Sequence, residues 1–178
     1  MAESEKAVER KEKGNGSERP LLGLTHGDFN GIGYEVILRS LADEAILREM
    51  RPVIYGSEAI LSFYAKRLSI TLPAELHRIA HADEAVDGAI NIVSVDVTGA
   101  DLHVVPGEEV RSSGLLAARA LKDAFAWNKG FREYFAVKAT PNPYILDIFK
   151  DYDFGCDCSS LSELVMAKSV GFDGRHIM

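Results

Sequence analysis

Apolar residues arrive along the chain as short runs alternating with spaced stripes. Leu21, Leu22 and Leu24 make a brief strand-like run, and Val36, Ile37, Leu38 and Leu41 then recur at helical spacing over Tyr34–Leu41, ending near Asp43. A second short helix is expected over Glu44–Met50. Pro52–Gly56 reads as a buried strand, and Ser57 stands where it can cap a helix carrying Ile60, Leu61, Tyr64 and Leu68 on one face. Glu75–Ile79 and Ala89–Val95 supply two more strands. The order β-α-β-α predicts an α/β fold with a parallel sheet covered by helices.

Further along, a second long apolar stripe at helical spacing predicts a helix. Ser112 or Ser113 is its expected cap, and Leu115, Leu116, Ala118, Leu121 and Phe125 are its apolar stripe. Tyr134–Val137 is aromatic and β-branched, as a strand is, and ends in Lys138. A Pro-Asn-Pro turn follows, then a helix bearing Ile145, Leu146 and Phe149.

Residues 1–19 carry almost nothing large and apolar. Glu3, Glu5, Glu9, Glu12 and Glu18 interleave with basic residues, which predicts a disordered, solvated leader rather than a targeting arm. The whole chain, 178 residues with 47% apolar content, can bury one core or two small ones. Its net charge of −7 argues against nucleic acid or an anionic membrane as partner. No run approaches the roughly 18 apolar residues of a membrane span, so the expected address is the cytoplasm. The two cysteines, Cys156 and Cys158, alternate on one strand face and are expected to be reduced residues at the edge of a core.

Two stretches carry candidate chemistry. Gly27, Asp28, Asn30, Gly31 and Gly33 occupy the passage from the first strand into the first helix. Glycines there admit positive φ and close approach, and the helix start offers free N–H groups to an anion such as a phosphate. The spacing matches neither dinucleotide nor P-loop fingerprints, so a ligand turn and a purely structural tight turn both stand. Lys138 closes a strand, the position at which β/α barrels do their chemistry. Partly stripped of water, its amine would stay neutral and nucleophilic; the plainer alternative is a lysine reaching into solvent. His26, His77, His81 and His103 lack metal-ligand spacing, so no metal site is expected from them.

From about Pro20 to Asp101 the sequence resembles the 4-hydroxythreonine-4-phosphate dehydrogenase family. The likeness is carried by Leu24-Thr25-His26-Gly27-Asp28-Phe29-Asn30-Gly31-Ile32-Gly33-Tyr34-Glu35-Val36-Ile37-Leu38 and by Arg51-Pro52-Val53-Ile54-Tyr55-Gly56-Ser57. The family's turn runs G-D-P-A/N-G-I-G-P-E, with Phe29 and Tyr34 here replacing its prolines, and Pro106–Gly114 also resembles the family, in which a similar loop opens a long helix. The resemblance implies one parallel-sheet lobe of an isocitrate/isopropylmalate-dehydrogenase-like fold, with NAD and a divalent metal as cofactors. The family's metal-binding histidines and its G-H-T-E substrate segment have no match here.

Past about Ala124 the likeness changes. Phe135-Ala136-Val137-Lys138-Ala139-Thr140-Pro141-Asn142-Pro143 and Gly155-Cys156-Asp157-Cys158-Ser159-Ser160-Leu161-Ser162-Glu163-Leu164 resemble the diaminopimelate decarboxylase family. That resemblance implies the first strands and helices of an incomplete alanine-racemase-like β/α barrel, with Lys138 holding pyridoxal phosphate. The organisation so implied is a leader (1–19), a dehydrogenase-like lobe (20–123) and a decarboxylase-like fragment (124–178), joined in a helix near Leu121–Trp127. Such a chimera would retain an incomplete site of each kind, a small-molecule substrate if any, and open sheet edges prone to oligomerisation or aggregation.

Overall fold

The structure is a computed structural model and describes residues 19–95, 103–108 and 110–178. The expected leader lies outside these residues except for Arg19, whose guanidinium meets the Leu47 carbonyl and, at 3.4 Å, the Asp87 carboxylate.

In chain order the elements are β1 (Leu21–Thr25), α1 (Gly33–Leu41), α2 (Glu44–Glu49), β2 (Arg51–Gly56), α3 (Glu58–Leu68), β3 (Leu76–Ile79) and β4 (Ile90–Ser94). They continue with α4 (Arg111–Ala124), β5 (Tyr134–Ala136), α5 (Pro143–Asp151), β6 (Gly155–Asp157) and α6 (Leu161–Val170). The first four strands form one parallel sheet in the order β1-β2-β4-β3. The fold is thus the mixed α/β type with a parallel sheet that the apolar pattern predicts.

Apolar side chains on both faces put β2 and β4 at the sheet centre. Val53, Ile54, Ile90 and Ile92 are all at most 1% exposed. Each such burial contributes about 1.5–3 kcal/mol relative to exposure. Asn91 is buried among them and fully bonded: its Oδ1 accepts from the Val86 amide at 2.8 Å, and its Nδ2 donates to the Pro52 carbonyl at 3.1 Å. A polar residue in the core therefore pins the loop before β4 instead of being left unpaired.

On α1 the buried positions are Tyr34, Ile37, Leu38 and Leu41, while Val36 is exposed. Tyr34 takes the place in the stripe that the sequence pattern gives to Val36, because positions 34, 37, 38 and 41 share a helix face and position 36 does not. Asp43 caps α2 by accepting from the Ala45 amide at 2.9 Å. The expected serine caps differ. Ser57 does occupy the position before α3, but its side chain makes no capping bond; its amide donates to the Tyr34 hydroxyl at 2.9 Å. Helix α4 begins after Val110, so Ser112 and Ser113 lie inside its first turn and neither caps it. Its buried line runs through Ser113, Leu116, Ala118 and Ala120, with Phe125 already at the helix end.

Helix α4 packs on β1 and β2 and also touches α5. Across that junction Lys122 Nζ donates to the Tyr152 carbonyl at 3.3 Å, and the Tyr152 hydroxyl donates to the Leu115 carbonyl at 3.4 Å. Beyond it β5 and β6 form a separate parallel pair, and Ile177 makes an isolated parallel bridge to Cys156. The pair encloses a small core of Val137, Leu146, Cys156, Ala167 and Phe172. Gly155 is required there: a Cβ would come within 2.5 Å of the Tyr134 ring and 2.8 Å of the His176 carbonyl oxygen. Both cysteines are free, and burial pushes the Cys156 thiol up to about 11, which keeps it protonated. No described helix is long and apolar enough to cross a membrane.

The second core is much smaller than the first, so it opens first. Amide hydrogen exchange is expected to be faster throughout β5, β6 and α6 than in β2 and β4. Phe172→Ala is expected to cost about 3 kcal/mol and to unfold the β5–β6 region while the four-stranded sheet keeps its protection.

Candidate functional site

The turn between β1 and α1 is folded against its own chain. Gly27 has φ +65° and is exposed, as is Asp28, whose carboxylate accepts from the Asn30 amide at 2.8 Å. The Gly31 amide donates to the Asp28 carbonyl at 3.1 Å. Asn30 is buried and spans from the turn to the segment before α4. Its Nδ2 donates to the Glu108 carbonyl at 2.9 Å, its Oδ1 accepts from the Val105 amide at 3.0 Å, and its carbonyl accepts from the Gly107 amide at 2.8 Å. At Gly33 a Cβ would come within 1.8 Å of the His26 carbonyl oxygen, so no other residue fits this backbone.

Beneath the turn three rings stack. His26 lies 4.7 Å from Tyr34, and Tyr34 lies 5.9 Å from Tyr64, with interplanar angles of 16° and 7°. The Tyr64 hydroxyl donates to the Phe29 carbonyl at 2.8 Å. His26 is 2% exposed, and neither ring nitrogen has a hydrogen-bond partner. Burial lowers its pKa to about 4, outweighing the opposing pull of the Gly27 backbone and the Asp28 charge. Burial also raises Tyr34 above the usual phenol range, so the column is neutral at physiological pH.

Lys138 follows β5 in a short 3-10 turn, Val137–Ala139. Val137 is buried and Lys138 is exposed. The water-stripped setting expected for a strand-end lysine is therefore not formed, because two short strands and a bridge leave that end of the sheet uncovered. The nearby Glu163 carboxylate is held low by the Ser159 amide at 2.9 Å and the Ser160 hydroxyl at 2.8 Å, with a smaller contribution from Lys138. Ser160 in turn accepts from the Glu163 amide, so this carboxylate and hydroxyl close the start of α6 reciprocally.

A third cluster escaped the sequence reading. His176 Nδ1 lies 2.7 Å from an Asp173 oxygen, and His176 Nε2 lies 3.1 Å from an Asp153 oxygen. Arg175 pairs with Asp173 at 2.9 Å. These residues gather at the start of β6, the end opposite Lys138, and tie the last residues of the chain to the turn before that strand. The Asp173-Gly174-Arg175-His176 run was its one sequence signal, and nothing in that run points to Asp153.

The histidines do not converge. His77 is exposed on β3, His81 is exposed before a short turn that Glu84 caps, and His103 is exposed on a separate segment. Among the described residues no group of three or more His, Cys, Asp or Glu side chains could hold a metal ion. The described side chains therefore do not fit a divalent metal.

No family model matches the chain. It is 36% identical over 73 residues to a 4-hydroxythreonine-4-phosphate dehydrogenase of Bacteroides thetaiotaomicron, covering 41% of this chain and 20% of that one. It is 34% identical over 110 residues to a D-threonate 4-phosphate dehydrogenase of Cupriavidus necator, covering 61% and 30%. Protein TabA of Pseudomonas amygdali pv. tabaci is 45% identical over 60 residues, covering 34% and 14%. The crystal structure of a 4-hydroxythreonine-4-phosphate dehydrogenase from Burkholderia phymatum superposes with a TM-score of 0.55 at 23% identity, covering 88% of this chain and 45% of that one. The Klebsiella pneumoniae enzyme gives 0.52 at 24%, covering 89% and 42%. The matches thus take in less than half the length of these relatives. The chain resembles 4-hydroxythreonine-4-phosphate dehydrogenase in sequence and shares its α/β parallel-sheet fold. An alanine-racemase-like barrel finds no support in these likenesses.

Three outcomes follow from the geometry. Asn30→Ala strips the Val105 amide and Glu108 carbonyl of their partners and is expected to cost about 1–3 kcal/mol in denaturant unfolding. His26 has a folded pKa below its ordinary value, so stability falls as the pH drops from 6.5 to about 4. The loss is about 3 kcal/mol, and His26→Phe, which keeps the stack without the titrating nitrogens, is expected to remove that slope. Asp173 is likewise held low, by Arg175 first and then His176. Asp173→Asn is expected to lower the melting temperature at neutral pH, with the gap closing as acid protonates the wild-type carboxylate.

Proposed function

We propose that the chain is a part-length relative of the NAD-dependent dehydrogenases of 4-phosphorylated hydroxy acids, with residues 20–123 forming one α/β lobe and no complete site for turnover. The observation that carries this reading is the pairing of the β1-β2-β4-β3 sheet with sequence likeness to dehydrogenases named for 4-hydroxythreonine 4-phosphate and D-threonate 4-phosphate. Both are hydroxylated four-carbon acids bearing a terminal phosphate. The reaction of the full-length type would pass hydride from the 3-hydroxyl carbon to NAD, with a divalent metal bound, before decarboxylation. Within this reading the ligand-facing part of the turn is Gly27 and Asp28, which are exposed, while Asn30, Gly31 and Gly33 shape it. The protein works in the cytoplasm on a small molecule, with neither nucleic acid nor membrane as partner. Catalysis needs an assembled constellation, and the described residues supply no metal-binding set. The purified chain, given either substrate with NAD and a divalent metal, is expected to yield no reduced nicotinamide above background. An enzyme-like rate would contradict the reading.

One observation favours a second reading for residues 124–178. The exposed Lys138 follows β5, in a strand–helix–strand–helix succession with parallel strands. This supports a diaminopimelate-decarboxylase-like fragment joined at residues 123–124, in which Lys138 would hold pyridoxal phosphate, the group that serves as electron sink for decarboxylation. Mixing the chain with the cofactor is then expected to produce a visible absorbance that borohydride removes and Lys138→Ala lacks. No absorbance change in the wild type would eliminate this reading.

A further inference from the structure

Asn30 and Gly31 are a chemically labile pair. Among the described residues the other asparagines, Asn91, Asn128 and Asn142, precede Ile92, Lys129 and Pro143, and only Asn30 precedes a glycine. An asparagine is thermolabile because the backbone nitrogen of the next residue can attack its side-chain amide carbon, and a glycine there has no side chain to block the approach. The Gly31 nitrogen bonds to Asn30 Cγ, the Cγ–Nδ2 bond breaks, and ammonia leaves with the Gly31 amide proton. Water then opens the cyclic imide at either carbonyl, giving aspartate or an isoaspartate whose main chain runs through the former side chain. Water is the only co-reactant.

The folded turn withholds the groups this reaction needs. Asn30 is 2% exposed, and the Gly31 amide proton is held by the Asp28 carbonyl at 3.1 Å. Nδ2, the leaving group, donates to the Glu108 carbonyl at 2.9 Å, and Oδ1 accepts from the Val105 amide at 3.0 Å. The side chain is therefore not free to turn onto the Gly31 nitrogen until both bonds to the segment before α4 are broken. Reaction goes through the opened joint, at a rate set by how much of the chain is open. The product does not close again. An aspartate puts an oxygen where Nδ2 donated, which sets two acceptors against each other at the Glu108 carbonyl and leaves a charge in a buried place. An isoaspartate also lengthens the main chain between His26 and Gly33, whose backbones already touch.

We propose that Asn30–Gly31 is a latent deamidation site. While the joint to residues 105–108 is closed the pair is protected; once an opening lets it react, the loss of ammonia makes that opening permanent. The proposal is independent of any reaction assigned to the chain, and the modification needs no enzyme.

Ageing the whole chain at mildly alkaline pH, folded and unfolded in urea, tests this, with peptide mapping to follow the gain of about one dalton at Asn30. In urea Asn30 should keep pace with Asn15, which also precedes a glycine. In the folded chain it is expected to react at least about tenfold more slowly than in urea, because two hydrogen bonds must be broken first. Ion exchange and mapping then isolate the fraction changed at Asn30. That fraction, and an Asn30→Asp variant, are expected to exchange the Val105 and Gly107 amides at least about tenfold faster than the fresh chain, while the β2 and β4 amides keep their protection. Should Asn30→Asp fail to fold, the fraction aged in the folded state supplies the measurement. Equal rates at Asn30 in the folded chain and in urea would overturn the proposal. So would an Asn30 that stays intact in urea while Asn15 reacts, or an aged fraction or folded Asn30→Asp variant that keeps the Val105 and Gly107 protection.

Discussion

The arrangement rests on one close approach, that of the Gly33 Cα to the His26 carbonyl oxygen, where a Cβ would sit 1.8 Å from that oxygen. This contact folds the end of β1 back onto the start of α1 and dictates what surrounds it. Tyr34, next to the glycine, is driven under the turn and stacks between His26 and Tyr64. Tyr64 reaches up to the Phe29 carbonyl, and Asn30 reaches across to residues 105–108. Strand exit, core packing and the approach to α4 are thereby set by a single stretch of backbone.

The chemistry of the turn follows from that use. Its carboxylate, amide side chain and several backbone groups bond within the chain, and its histidine is neutral and enclosed. An unpartnered buried imidazole costs stability, so the site holds the shape of the turn at the expense of a polar group left dry. At the other sheet the two ends of the strands divide their roles. The His176–Asp173–Asp153 cluster fastens residues 173–176 to the turn before β6, whereas Lys138 stands exposed after β5.

Most of the element order was legible because helix and strand periods differ and the apolar runs are short. The placements of β1, β2, β4, α2 and α5 follow from Leu21–Leu24, Pro52–Gly56, Ala89–Val95, Asp43 and the Pro-Asn-Pro turn. What escaped depends on partners distant in sequence. Nothing local shows that the Ser57 amide meets the Tyr34 hydroxyl, or that Asn30 bonds to a segment 75 residues later. The glycines of the turn were visible, but not whether their neighbours face a ligand or the chain itself. Lys138 was expected to close a strand over Tyr134–Val137, but the strand ends at Ala136 and Lys138 sits in the turn after it, where its exposure depends on how much sheet surrounds it, which strand patterns do not report.

The account turns on Asn30 and its neighbours being a closed joint rather than an open cradle. Native-state hydrogen exchange at the Val105 and Gly107 amides tests this most directly, because both donate to Asn30 and neither belongs to a helix or strand. Protection close to that of the β2 and β4 amides is the expected result. Exchange at the rate of an unstructured loop would show that the turn is not fastened to the segment before α4, and would contradict the account.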